Sequence, residues 1–153
     1  MSGASRRKLA DITTLINAYK EKYPDTPVIF DETKNHLETF IFGPEDTPYV
    51  GKKWKISIDF PIDYPFKPPE VKFVDRIFHP NISAGTGAIC LDVIKNKWTP
   101  VFNLLTIIDI LIPQLLTYPN PDSALNGDAS ASFREGIESY TLAVNSFHLK
   151  NCP

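Results

Sequence analysis

Cysteine is scarce in this sequence: Cys90 and Cys152 are the only two among 153 residues. Two thiols cannot build a disulfide framework, so a reducing compartment is expected, in which Cys90 stays a free thiol. Histidine is also sparse, at His36, His79 and His148, and none of them flanks Cys90 closely. No apolar run approaches the roughly 20 residues that cross a bilayer. The first residues lack the apolar core of a signal peptide. Gly3 is not at position two, so myristoylation is not suggested. Neither charge sign dominates: 16 Lys and Arg stand against 18 Asp and Glu, a net charge of −2. No global pull toward nucleic acid or anionic membrane follows. The expectation is an intracellular protein, cytoplasmic or nuclear, with no direct nucleic-acid or membrane partner.

Hydrophobic residues make up 42% and charged residues 22%, which suits one packed domain over residues 1–153. Leu9, Ile12, Ile16, Tyr19 and Tyr23 recur at helical steps, with Leu15 beside them, so a helix is expected from Ser5 to Tyr23. Pro24 stops it. Four strands are expected next, over Pro27–Asp31, His36–Phe42, Lys52–Phe60 and Glu70–Val74. The third alternates Trp54, Ile56, Ile58 and Phe60 against Lys53, Lys55, Ser57 and Asp59, which implies one wet sheet face. Pro61 to Pro69 holds four prolines in nine residues, a stiff loop that can present Phe66 outward or tuck it beneath. Asn103 can cap a helix reaching Tyr118, and Pro113 should kink or split it. Asp128 is the expected cap of the next helix, with a break at Gly136. Helix, four antiparallel strands, a loop and then helices describe an α+β domain.

The chemistry concentrates between His79 and Trp98. Cys90 follows Gly87 in a loop, with the amide of Asn81 nine positions upstream. Thiolate is a ready nucleophile. A small buried hydrophobe is the competing reading, since Ile89 and Leu91 flank it.

The motifs Tyr64-Pro65-Phe66-Lys67-Pro68-Pro69, His79-Pro80-Asn81, Cys90-Leu91-Asp92, Trp98-Thr99-Pro100 and Pro119-Asn120-Pro121-Asp122 resemble the ubiquitin-conjugating enzymes, in the family's order and close to its spacing. The nine-step Asn–Cys distance, Ile112-Pro113-Gln114-Leu115-Leu116 and Leu125-Asn126-Gly127-Asp128-Ala129 further resemble the branch that works with the GID/CTLH-type ligase and modifies histones. That branch carries an acidic tail, which the sequence up to Pro153 does not include.

The resemblance implies that Cys90 takes ubiquitin as a thioester from an activating enzyme and that a substrate lysine then attacks it. Asn81 is the expected oxyanion donor, or a brace for its loop. His79, Pro80 and Asp92 are expected to organise the active loop. The family's acidic gate falls on Ser123, with Asp122 beside it; Asp122 can substitute, or phosphorylation can charge Ser123. Phe66, Pro100 and Val101 match ligase-contact positions, and Arg6 and Arg7 the basic face of the first helix. The apolar second helix can present a strip to the thioester-linked ubiquitin. No bound cofactor or metal is implied; ATP is used upstream by the activating enzyme. Expected partners are ubiquitin, the activating enzyme, a RING or GID/CTLH-type ligase and lysine-bearing substrates. Conjugation of another ubiquitin-like modifier is an alternative. A non-catalytic ubiquitin-binding scaffold is disfavoured because such variants lack the cysteine. A thiol hydrolase is disfavoured because no clear base accompanies Cys90.

Overall fold

The computed structural model describes residues 3–152. Helix α1 (Gly3–Lys22) leads into strands β1 (Ile29–Asp31), β2 (His36–Phe42), β3 (Lys53–Asp59) and β4 (Glu70–Phe73). These form one antiparallel meander in the order β1-β2-β3-β4. After a long loop come α2 (Leu104–Thr106), a wide π turn (Ile107–Leu111) and α3 (Ile112–Thr117). Helices α4 (Gly127–Arg134) and α5 (Ile137–Asn151) close the described chain.

The alternation read from β3 sets the sheet's two faces. Leu37 pairs with Ile58, Ile41 with Trp54 and Ile56 with Phe73. All six are buried and meet Ile12, Leu15 and Tyr19 from α1 and Leu104, Ile107 and Ile112 from the second helical region. Leu15 sits at the centre of the α1 stripe, while Ile16 and Tyr23 pack at its margin. The outer sheet face is less wet than the alternation implies. Ser57 is buried there, and the ammonium groups of Lys53 and Lys55 lie 4.9 and 5.8 Å from the centre of the Phe40 ring. Long lysine stems cover that aromatic surface while their charges face solvent.

The second helix departs from a simple proline kink. Asn103 caps it with a reciprocal bond to Thr106, as its side chain suggests. The irregularity comes before Pro113, where the N–H of Ile112 reaches the carbonyl of Ile107 across a π turn. A proline ring crowds the carbonyl four residues earlier and has no N–H to offer it. The widened turn lies where that conflict falls. The cap of α4 is Asn126, whose side chain accepts from the N–H of Ala129; Asp128 lies inside the first turn. Asp128 as cap is therefore corrected by two residues. The break between α4 and α5 occurs at Gly136, whose φ of 121° suits a residue without a side chain.

A polar clamp ties α1 to two loops. Arg7 donates to Asp11, to the carbonyl of Pro100 at 2.7 Å and to that of Phe102. Tyr64 donates to the same Asp11 carboxylate at 2.5 Å, and Trp98 Nε1–H donates to the carbonyl of Pro65 at 2.8 Å. The proline-rich loop and the segment after Trp98 are thus held side by side.

Tyr64 and Asp11 are both buried, so this bond tests the clamp. Tyr64→Phe keeps the ring and removes the donor. It is expected to lower stability by about 1–3 kcal/mol, read as a shifted urea midpoint with unchanged slope. An unchanged midpoint would show that the clamp contributes nothing.

Candidate active site

Cys90 lies in a loop suspended from the sheet. Phe73, the last residue of β4, donates its N–H to the carbonyl of Gly87 at 2.9 Å. Gly87 has a φ of 74°, and a Cβ there would stand 1.9 Å from the carbonyl oxygen of Phe73. Only glycine allows the loop to approach the strand so closely. Ser83 and Ala88 pair within the loop, and Ile82 bridges Ile89. The N–H of Cys90 then donates to the carbonyl of Asn81 at 2.9 Å. The thiol is half-buried, so it is not the fully buried hydrophobe of the competing reading.

Two open clefts meet at Cys90. One of about 540 Å³ runs toward the proline-rich loop, past Leu91, Ile94 and Lys95. The other, of about 350 Å³, lies beneath α3 and is walled by Asn81, Tyr118, Asn120 and Ser123. An extended peptide end and an attacking amine therefore both have room beside the sulfur.

Asn81 is 2% exposed, and its side chain is fully engaged. Its Nδ2 donates to the carbonyls of Asn120 at 2.8 Å and Ser123 at 3.1 Å. Its Oδ1 accepts from the N–H of Asn120 at 2.8 Å. Both amide hydrogens thus brace the loop that forms the far wall. Donation to an oxyanion requires the release of one carbonyl.

His79 is completely buried. Its Nε2–H donates to the carbonyl of Leu115, and its Nδ1 accepts the N–H of Asn81. Burial pushes its pKa down to about 4, so the ring is neutral near pH 7. The structural reading of His79 matches this geometry. The carbonyl of Pro80 accepts from the N–H groups of Leu125 and Asn126, tying the same strand to the approach of α4. Asp92 accepts the side-chain amide of Asn96 at 2.6 Å, which tightens the turn after Cys90. The other two histidines are elsewhere. His36 is held between Asp59 and Glu38 on the sheet, and His148 lies against Trp54 on α5. Among the described residues, no histidine lines either Cys90 cleft, and no group of three His, Cys, Asp or Glu residues is placed to hold a metal.

The two gate positions separate. Ser123 lines the cleft with Cys90. Asp122 is exposed, does not line that cleft, and pairs with Arg134 at 2.5 Å. Arg134 drew no notice in the sequence because its partner is twelve residues away in a turn. The expected partner positions also separate. Phe66 and Val101 are 72% and 88% exposed, beside Pro100. Arg6 is exposed as well. Arg7 instead forms the internal clamp described above, which the sequence reading did not foresee.

Asn81→Ala leaves three backbone groups of the far wall without their partner. A loss of about 2–4 kcal/mol is expected in chemical denaturation. A change below about 0.5 kcal/mol, the level of an ordinary surface substitution, would show that the brace is unnecessary.

A family model described as "Ubiquitin-conjugating enzyme" matches residues 7–148. Ubiquitin-conjugating enzyme E2 6 of Arabidopsis thaliana is 36% identical over 146 residues, covering 95% of this chain and 76% of the relative. Ubiquitin-conjugating enzyme E2 3 of the same plant is 45% identical over 114 residues, covering 74% of this chain and 75% of the relative. Among solved structures, an E2 domain from Toxoplasma gondii superposes with a TM-score of 0.81 at 29% identity, covering 97% of this chain and 99% of that one. The Pex4p ubiquitin-conjugating enzyme of H. polymorpha, solved with the soluble domain of Pex22p, gives 0.86 at 26% identity and covers 98% of each chain. A four-stranded meander between an N-terminal helix and C-terminal helices, with this family model over most of its length, places the chain in the ubiquitin-conjugating enzyme family, a family of transferases.

Proposed function

We propose that residues 1–153 act as a single catalytic core in which Cys90 carries ubiquitin as a thioester and passes it to a lysine amine. The observation that carries this is the half-buried thiol at the junction of two open clefts, with no histidine among the described residues that line them. A thioester is already activated toward amines, so the donor need only be held. A hydrolytic thiol wants a histidine at hand, and His36, His79 and His148 all lie away from the two clefts.

In the first step the Cys90 thiolate attacks the carbonyl of the ubiquitin thioester on the activating enzyme, whose own C–S bond breaks and whose thiolate leaves. ATP is used there, upstream. In the second step a lysine amine attacks the Cys90 thioester, the C–S bond breaks, an isopeptide bond forms and the amine's proton passes to solvent. Asn81 holds the wall of the cleft for this step, and its Nδ2–H can turn to the oxyanion once a carbonyl is freed. Ser123 faces the incoming amine as a neutral hydroxyl, a weaker aid than a carboxylate. Phosphorylation would give it charge. Asp122 acts through its pairing with Arg134, on the outer side of the same loop.

Phe66, Pro100 and Val101 form the proposed ligase contact, an apolar patch held by the clamp on α1, and Arg6 extends it with positive charge. The ligase we propose is of the GID/CTLH type, with histones among the substrates; support comes from the nine-step Asn–Cys spacing and the Ile112–Leu116 and Leu125–Ala129 runs. The H. polymorpha Pex4p neighbour is seen with a different partner, the soluble domain of Pex22p. The proposed location is cytoplasmic or nuclear; no helix among the described residues is long and apolar enough to cross a membrane.

Incubation with activating enzyme, ATP and ubiquitin is expected to yield a ubiquitin adduct on a non-reducing gel. It should vanish with reductant and in Cys90→Ala. With the charged enzyme, Ser123→Asp is expected to speed discharge to free lysine about a hundredfold, at the low end of general acid–base effects. Unchanged discharge in Ser123→Asp, Ser123→Ala and Asp122→Ala would reject both gate assignments. Absence of the reducible adduct would reject the role of Cys90.

A further inference from the structure

Five of the six tyrosines are committed to the fold. Tyr19 donates to the carbonyl of Phe40 at 2.7 Å, and Tyr64 donates to Asp11. The hydroxyls of Tyr49 and Tyr140 are bonded to each other, and Tyr23 stacks on Phe42 with ring centres 4.4 Å apart. Tyr118 is the sixth. It is 77% exposed. Among the described residues, its hydroxyl has no hydrogen-bond partner and its ring no aromatic neighbour. Its backbone is nevertheless fixed. The N–H of Tyr118 closes α3 on the carbonyl of Gln114 at 2.8 Å, and the N–H of Asn120 is held by Asn81. Pro119 stands between them and fixes its own φ. A tyrosine has only two side-chain torsions, so little freedom is lost when its ring is covered.

Tyr118 walls the 350 Å³ cleft that holds Cys90 and Ser123. The other walls offer an acceptor lysine little. Asp92 and Lys97 line the cleft with opposite charges, so no net charge draws an ammonium in. Asp92 already accepts from Asn96, and Ser123 is neutral. Leu111 and Leu115 are each 7% exposed and belong to the core, while Val93 is half-buried. The largest apolar surface that the cleft presents is therefore the Tyr118 ring. A lysine is a charged head on an apolar methylene stem, and such a stem gains by lying along apolar surface.

We propose that the Tyr118 ring is a specificity-determining surface for the acceptor: it carries the methylene stem of the incoming lysine while the amine reaches the Cys90 thioester. This rests on Cys90 carrying that thioester. The bond changes are those already given: the amine nitrogen bonds to the carbonyl carbon, the C–S bond breaks, and the amine's proton passes to solvent. No further reactant is consumed. What the ring adds is selection by stem. An amine with an apolar stem is held beside the sulfur, and an amine without one is not.

The test uses enzyme charged with ubiquitin and then freed of activating enzyme. Discharge is measured with three amines: lysine, n-butylamine, which keeps a four-carbon stem, and methylamine, which has none. Tyr118→Ala is expected to lower the second-order constants for lysine and butylamine about four- to fifteenfold, which is what burying one or two methylenes confers, and that for methylamine less than about twofold. Tyr118→Phe keeps the ring and should rescue the two stem-bearing amines. Equal losses with all three amines would overturn the inference, because the ring would then act on the bound ubiquitin or on the active loop. No loss with any amine would also overturn it, as would a Tyr118→Phe enzyme as slow as Tyr118→Ala. Each of these leaves the Cys90 thioester standing. Failure to form any reducible adduct sinks the Cys90 assignment, and this inference with it.

Discussion

One buried amide holds the site together. The side chain of Asn81 makes three hydrogen bonds to the 120–123 turn, and its backbone carbonyl receives the N–H of Cys90. Thiol and the cleft's far wall, about thirty residues apart in sequence, are thus fixed to a single residue. His79 fixes that residue in turn, because its ring accepts the Asn81 N–H while donating to α3. A protonated His79 would lose its acceptor nitrogen. Deep burial keeps the ring neutral and so keeps the arrangement intact.

A second construction lies at the other end of α1's contacts. Arg7, Asp11, Tyr64 and Trp98 lock α1, the proline-rich loop and the segment after Trp98 into one surface. Phe66 and Val101 project from it at high exposure. Exposed apolar side chains on stiff loops lose little conformational freedom when a partner covers them. Both constructions use few residues with several bonds each, and neither relies on loop length or on a bound group.

Much of this was legible in the sequence, for local reasons. The β3 alternation needs only a two-residue period, and the Asn103 cap acts three residues away. Gly136 marks a break because its backbone conformation favours glycine. The structural character of His79 was also readable. What escaped was set by distance. Arg7 looked like a docking charge because its carbonyl partners are 93 and 95 residues on. Asp122 looked equivalent to Ser123 until the turn aimed one at Arg134 and the other at the cleft. Asp128 is the expected cap and Asn126 the observed one: both residue types suit the role, and only backbone geometry distinguishes them. The π turn before Pro113 leaves no mark in composition, since every residue of Ile107–Leu111 but Asp109 is apolar in any register.

The most direct test of the central claim is amide hydrogen exchange at Cys90 and Asn120, residue by residue, in the uncharged protein. If Asn81 joins the thiol strand to the far wall of the cleft, both N–H groups are protected and open together, with the same opening free energy as denaturant is raised. Exchange of the Asn120 N–H at the rate of an unstructured peptide, with the Cys90 N–H still protected, would contradict the account: the wall would then be moving independently of the sulfur it is said to face.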